Sequence, residues 1–247
     1  MAANPIQIVP LREAELAPVS TAKLTYRGGP LLGAVEAFTF FWGDAWLQAP
    51  QSALVGEINK FFDFILASAL LDQLSEYSVP ATTIGHGTRT GSKTVPGAGP
   101  AQSVTDADVQ RFIQDQLAAG PSLPQPNPSS LYFVYLPPGT SIAMDSGASC
   151  VNFCGYHSDF ATGGGSVYYA VMPYPGCSGC LGGMTDVDAL TATSSHELCE
   201  AITDPVPGQG WYDDQNGEIG DICAWQSKRL GGYAVQLEWS NRAGRCI

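Results

Sequence analysis

The chain has 247 residues, of which only 14% are charged, and its formal net charge is −12. An acidic surface repels the phosphates of nucleic acids and of anionic lipids, so we expect neither a nucleic acid nor a membrane as partner. No apolar run approaches the ~20 residues of a membrane-spanning helix, and the longest candidate, Phe64 to Leu71, is too short.

Hydrophobic periodicity predicts strands and helices in alternation through the first part of the chain. Ala34 to Trp42 is predicted to be a strand, and Ser52 to Glu76 one long helix with an apolar face. A second helix is expected from Thr105 to about Ala119, followed by a proline-rich linker from Gly120 to Pro128. Gly91 to Gln102 is predicted to be a mobile loop, because it is rich in glycine and proline and has little to bury.

Two further strands are expected, at Leu131 to Leu136 and at Ser166 to Met172. Together these elements predict an α/β (mixed α+β) fold, in which helices back a mixed sheet. We expect a single domain with two lobes, an α/β part over residues 20–205 and an irregular, disulfide-bearing part over residues 206–247.

The most informative segment runs from Ser194 to Pro205. If it is helical, His196 and Glu200 project from one face, and Glu197 lies beside them. This is the metallopeptidase HExxH pattern with glutamate in place of the second histidine. Two ligands one helical turn apart hold a metal ion, while the adjacent carboxylate deprotonates a metal-bound water. The pattern indicates a zincin-like helix with His196 and Glu200 as ligands and Glu197 as general base.

Other residues support the helix independently of this motif. Thr185 and Asp188 form a plausible capping pair, and Pro205 stops the helix because proline disfavours helical geometry in the residue before it. An apolar stripe lies opposite the motif, formed by Val187, Leu190, Leu198, Ala201 and Ile202. The alternative interpretation of the motif is an ordinary solvated polar face, on which such pairs arise by chance.

A glycine-containing loop with four carboxylates follows this helix, from Gly210 to Cys223. A third protein ligand is needed, and we favour Glu218 and Asp221 for that role. A calcium loop is the second interpretation, since hard oxygen ligands surround a turn glycine, but the spacing is not that of an EF-hand. A solvated acidic turn is the third, and it accounts for Asp213 and Asp214 better than for Glu218 and Asp221.

These segments resemble the phosphate-induced/EXORDIUM family of plant extracellular proteins and its microbial relatives. The resemblance extends in order through nearly the whole chain, in Leu24 to Leu32, Cys150 to His157, Cys177 and Cys180, His196 to Pro205, Trp211 and Tyr212, Glu218 to Cys223, and Cys246. It implies a secreted, growth- or wall-associated protein and supports fold and site more than reaction. This chain is shorter than the plant proteins, has Asp204 where they usually have Asn, and carries Cys199 inside the helix.

Seven cysteines bear on the compartment. Cys150/Cys154 and Cys177/Cys180 are close pairs in sequence, and Cys223 with Cys246 forms a natural third pair. Close pairs can also hold zinc, but the resemblance favours disulfides and hence an oxidising compartment. Cys199 is the odd one and is expected to be a small buried hydrophobe. Met1 to Gln7 lacks the features of a signal peptide, so we expect either a mature chain behind an added methionine, which we favour, or export by another route.

His157 lies in the Cys-Gly-Tyr-His block that carries the resemblance. It is predicted either to polarise a substrate carbonyl or to replace Glu218 and Asp221 as third ligand. By analogy with zincins, Ser166 to Met172 is expected to be the edge strand that binds extended substrate.

Two classes of function follow. The first is a secreted zinc metallopeptidase with a peptide or protein substrate. The second is a non-catalytic, cell-wall-associated binding protein with a structural metal. A ligand set dominated by carboxylates is compatible with calcium or manganese as well as zinc.

Overall fold

The computed structural model describes residues 7–11, 22–120, 123–145 and 147–247. The expectation for Met1 to Gln7 lies almost wholly outside these ranges, as do Pro121 and Ser122 of the predicted linker. The described strands are β1 Gln7–Pro10, β2 Thr25–Tyr26, β3 Glu36–Trp42, β4 Thr88–Val95, β5 Ser103–Thr105, β6 Ser130–Tyr135, β7 Ser141–Met144, β8 Gly147–Ala148, β9 Phe153–Thr162, β10 Gly165–Met172, β11 Trp211–Tyr212, β12 Ser227–Leu230, β13 Tyr233–Gln236, β14 Trp239–Ser240 and β15 Arg245–Cys246. The helices are α1 Gln51–Ile65, α2 Ala69–Leu74, α3 Asp106–Ala118, α4 Ser178–Leu181 and α5 Asp186–Thr203, with 3-10 turns at Asp44–Leu47, Ser75–Tyr77 and Asp221–Cys223.

A six-stranded sheet in the order β1-β9-β10-β6-β3-β4 forms the centre of the molecule. The strands from β10 to β4 are mutually parallel, while β9 runs antiparallel to both of its neighbours. Strand β6 is buried along its whole length, as expected for a strand covered on both faces. Phe133 and Tyr135 point into the core on one side of the sheet, and Tyr132 and Val134 into the core on the other.

These two cores place the helices on opposite faces. Residues of α1, α2 and α5 belong to the first core, and residues of α3 belong to the second. The protein is therefore a mixed α/β fold with a multistranded sheet, and α5 packs against β9 and β10. None of the helices in the described ranges is long and apolar enough to span a bilayer.

The predicted strands at 34–42, 131–136 and 166–172 are confirmed, as is the helix that begins after Thr105. The single helix predicted over Ser52 to Glu76 is wrong, because it is broken after Ile65. At the break, the Ser68 hydroxyl donates to the Ile65 carbonyl (2.8 Å) and accepts from the Leu70 amide (3.2 Å). A serine that caps a new helix in this way competes with continuation of the preceding one.

The loop predicted over Gly91 to Gln102 is wrong in its first part, since Gly91 to Val95 belong to β4. This edge strand has little to bury, but its backbone pairs with β3. A side chain at Gly91 would place its Cβ 2.7 Å from the Phe38 ring, so here glycine permits close packing rather than a turn.

The expectation that Ser166 to Met172 forms a substrate-binding edge is also wrong. Strand β10 is hydrogen-bonded on both sides, to β6 and to β9. The edge positions of the sheet are held by β1 and β4. An interior strand has no free backbone groups with which to pair an added peptide.

Three disulfides join Cys150 to Cys177, Cys154 to Cys180, and Cys223 to Cys246. The third pair and the free, buried Cys199 are confirmed. The two close pairs do not close on themselves; they cross-link the start of β9 to α4. The segment after α5 consists of short strand pairs and a 3-10 turn, and the third disulfide lies within it.

Candidate metal centre

Helix α5 carries the motif and is almost entirely buried. It begins as predicted, with the Thr185 hydroxyl accepting from the Asp188 amide at 3.2 Å. His196, Glu197 and Glu200 are each 0% exposed, so the interpretation of this face as solvated is wrong. Buried ionisable side chains are rare unless they are paired or bind a metal, so this face requires a specific explanation.

The first ligand group consists of His196, Glu200 and Asp221. One donor atom from each lies within 4.8 Å of the other two. His196 Nε2 is 2.9 Å from Glu200 Oε1, which also accepts the backbone N–H of Asp221 at 3.1 Å. Asp221 opens the 3-10 turn that ends at Cys223, whose disulfide to Cys246 fixes the turn. Helix spacing supplies two donors, and the cross-linked loop brings in the third.

The second ligand group consists of His157, Glu200 and Glu218, and it shares Glu200 with the first. His157 Nδ1 is 3.5 Å from Glu200 Oε2, while His157 Nε2 is 3.6 Å from Glu218 Oε1. His157 comes from β9, and both it and Glu218 are 0% exposed. Glu218, predicted beside His196, therefore lies on the His157 side of Glu200.

Glu197 belongs to neither group of donors. Its Oε2 accepts from His157 Nδ1 at 3.0 Å, and its Oε1 has no hydrogen-bond partner. Gly155 of β9 leaves room for this carboxylate, since a Cβ there would lie 3.3 Å from Oε1 and 2.7 Å from the Thr193 methyl. The carboxylate predicted as general base is thus oriented by the histidine predicted as its partner in catalysis.

Burial and mutual charge shift the acidities of these groups in opposite directions. Burial raises the pKa of Glu218 well above its usual value and that of Asp221 to about 8. Burial also acts to raise the pKa of Glu200, but the two imidazoles outweigh it and hold that pKa at about 2. Burial acts to lower the pKa of His196, yet the charge of Glu200 leaves it well above the usual value. The centre therefore combines one strongly acidic carboxyl, Glu200, with two carboxyls, Glu218 and Asp221, that keep their protons to higher pH.

The buried donors fit a bound cation. Both ring nitrogens of His196 and both carboxylate oxygens of Glu218 have no hydrogen-bond partner, and neither has Glu200 Oε2. The 2.9 Å contact between His196 and Glu200 is short, but its angle is not that of a hydrogen bond. Orphaned buried acceptors are costly, and a divalent cation satisfies several of them at once. Two ligand atoms that each lie about 2.0–2.2 Å from one zinc ion are separated by distances similar to those between the donor atoms of this centre.

Two further residues shape the centre and were missed in the sequence. A Cβ at Gly220 would lie 2.8 Å from His196 Nδ1 and 2.9 Å from Glu200 Oε1. Only glycine admits the loop this close to the helix. The position of Gly220 between the predicted ligands Glu218 and Asp221 could have indicated this close approach from the sequence. Glu238 is 0% exposed, with no hydrogen bond to either carboxylate oxygen, and nothing in the local pattern marks it.

The acidic turn at residues 213–216 has different partners. Asp213 Oδ1 accepts from the amides of Gln215 and Asn216, and its Oδ2 accepts from the Lys23 amide. Asp214 forms an exposed ion pair with Arg27. These carboxylates are engaged in forming a turn, as in the solvated-turn interpretation, and not in a calcium loop.

No protein-family model, curated protein or solved structure matches the chain.

Proposed function

We propose that the protein is a secreted, zinc-dependent hydrolase of the metallopeptidase class that acts on a peptide or protein substrate. The observation that carries the proposal is the pairing of the His196, Glu200 and Asp221 donors with an adjacent carboxylate, Glu197, that is not among them. The first ligand group is complete without Glu197, so this carboxylate is available to accept a proton.

Zinc fits the donor set better than calcium does. The first ligand group offers one imidazole nitrogen together with carboxylate oxygens, and zinc takes both kinds of donor. Calcium takes six to eight oxygen ligands, so the imidazole nitrogen of His196 in the ligand group disfavours calcium. Manganese accepts the same donors and is the closest alternative.

Glu197 and His157 have separate roles in the proposed reaction. A zinc ion held by His196, Glu200 and Asp221 would supply Lewis acidity at this site. Glu197 would accept a proton from water, and burial suits it to this role because it raises the pKa of the carboxyl. His157 donates Nδ1–H to Glu197 Oε2 and so directs the other oxygen, Oε1, away from the ring.

A zincin-like arrangement and export are part of the same proposal. The motif helix lies against a mixed sheet next to its one antiparallel interior strand, β9. Three disulfides favour an oxidising compartment, and the resemblance to the EXORDIUM family favours an extracellular one.

One observation favours the second candidate, a wall-associated binding protein with a structural metal. His157, His196, Glu197, Glu200 and Glu218 are all 0% exposed, so the centre is closed to a polymer chain in this conformation. Structural metal sites are closed, whereas catalytic ones keep an open position. Hydrolysis therefore requires this buried centre to open to the substrate.

The experiment that separates the two is Glu197→Gln, assayed with extended peptide substrates and by metal analysis. We expect metal content to be retained and the hydrolysis rate to fall by ~10²–10⁴, because a general base is removed without a ligand. Asp214→Asn, in the exposed acidic turn, is the matched control and should keep full activity. Wild-type protein that binds metal stoichiometrically but cleaves no peptide would replace the enzyme proposal with the binding protein.

A further inference from the structure

The arrangement around Glu200 raises the question of how many ions the centre holds. Glu200 Oε1 faces His196 and the Asp221 amide, whereas Glu200 Oε2 lies 3.5 Å from His157 Nδ1. The two imidazoles do not occur together in one ligand group. A single ion bound on either side leaves the donors on the other side unsatisfied.

Each side has its own orphaned atoms. On the first side, His196 has no hydrogen bond at either ring nitrogen. On the second side, neither oxygen of Glu218 has one. An ion between His196 and Asp221 leaves Glu218 unpaired, and an ion beside Glu218 leaves His196 unpaired. Each such group would carry the full desolvation penalty of a buried polar side chain.

His157 shows where the second ion would bind. Its Nδ1 faces the Glu197 carboxylate at 3.0 Å, and a carboxylate only accepts, so Nδ1 carries a hydrogen. Its Nε2 faces acceptors too, the Asp204 carbonyl oxygen at 3.1 Å and Glu218 Oε1 at 3.6 Å. Only a positive charge reconciles Nε2 with these oxygens, and it is either a proton or a metal ion. A proton on Nε2 lies too far from Glu218 Oε1 for a hydrogen bond at this 3.6 Å separation, whereas an ion between the two atoms would satisfy that oxygen.

This pattern is also the usual environment of a metal-binding histidine. Such residues donate the hydrogen of the other ring nitrogen to a carboxylate, which fixes the tautomer and turns the lone pair toward the metal. Glu197 occupies that position for His157.

We infer that the protein binds two divalent cations bridged by the Glu200 carboxylate, one held by His196 and Asp221 and the other by His157 Nε2 and Glu218. The Asp204 carbonyl oxygen is a further donor for the second ion. Two-metal centres with ions about 3.5–4 Å apart occur in hydrolases. The inference goes beyond the proposed function, because it concerns ion number and holds whether or not the centre hydrolyses anything.

The test uses the full chain, stripped with a chelator, reloaded with Zn²⁺ and analysed for metal per folded chain. We expect two ions in the wild type and in the control Asp214→Asn. Glu218→Gln and Asp221→Asn should each retain one. One ion in the wild type would overturn the bridged pair and leave the proposed function standing, while no ion would overturn both. Loss of all metal in each variant would mean a single shared site.

Because a ligand variant can fail to fold, a second measurement uses only the wild type. Mn²⁺ bound at two per chain and bridged by one carboxylate should give an electron paramagnetic resonance spectrum with exchange coupling between the ions. A spectrum of isolated Mn²⁺ ions at a loading of two per chain would contradict the bridge.

Discussion

Two groups of carboxylates lie within one short segment of this chain and differ in their environments: one takes part in a turn, and the other is buried. In the acidic turn, Asp213 accepts several backbone amides and Asp214 pairs with Arg27 at the surface. A few residues later, Glu218 is fully buried and has no hydrogen bond to either oxygen. The capacity of a carboxylate to bind a metal ion therefore depends on whether the fold leaves its oxygens without hydrogen-bond donors, and not on how many acidic residues the sequence contains.

Among the variants, His196→Ala is expected to have the largest effect on stability. Removing this ligand should abolish binding at its site and, at free zinc 100–1,000 times the dissociation constant, lower the free energy of unfolding by roughly 3–4 kcal/mol. Thermal melts with and without zinc measure the effect. The same zinc-dependent increment in His196→Ala as in the wild type would remove His196 from the ligand set. Asp214→Asn, in the turn, should keep the wild-type increment.

Gly220→Ala tests how tightly the loop is fitted to the helix. The new Cβ would lie 2.8 Å from His196 Nδ1, so the loop or the imidazole must shift. We expect a loss of about 1–3 kcal/mol in stability and weaker zinc binding. The control is Gly56→Ala, where the helix α1 has nothing within 4 Å of the new carbon, and alanine should stabilise slightly. Unchanged zinc affinity in Gly220→Ala would contradict this contact.

Glu238→Gln tests a buried carboxyl outside the ligand groups. Burial raises the pKa of Glu238 well above its usual value, so the folded protein keeps this proton where the unfolded chain has lost it. Wild-type stability should therefore fall as pH rises from the unfolded pKa toward the folded one. Each tenfold difference in acidity corresponds to about 1.4 kcal/mol. Between pH 5 and pH 8, chemical denaturation should show the wild type losing stability relative to Glu238→Gln, and parallel pH curves would contradict the shift.

The smallest effect is expected in the acidic turn itself. Asp213→Ala removes the acceptor of the Lys23, Gln215 and Asn216 amides, but these groups become accessible to water. A loss of about 1 kcal/mol, with metal content unchanged, should follow. Loss of bound metal in this variant would revive the calcium-loop interpretation.

Local signals in the sequence were reliable where a few neighbouring residues decide the structure. Thr185 and Thr105 cap their helices through their own side chains, and the buried strand β6 carries an uninterrupted apolar run from Leu131 to Tyr135. The break at Ser68 was missed, because the apolar periodicity continues through it while one hydroxyl redirects the backbone. Strand β4 was missed because an edge strand is held by backbone pairing, and the pattern of side chains in the sequence does not reveal backbone pairing.

Some features of the candidate centre likewise follow from local sequence, and others depend on the fold. Helix periodicity alone predicts that His196 and Glu200 share a helix face with Glu197 beside them, since residues one turn apart meet wherever the helix forms. Two features are visible only in the folded chain: Glu218 groups with His157 while Asp221 groups with His196, and the close cysteine pairs cross-link instead of closing on themselves. The physical reason is that these contacts join β9, α5 and the following loop, and they depend on how packing brings distant segments together and excludes water from between them.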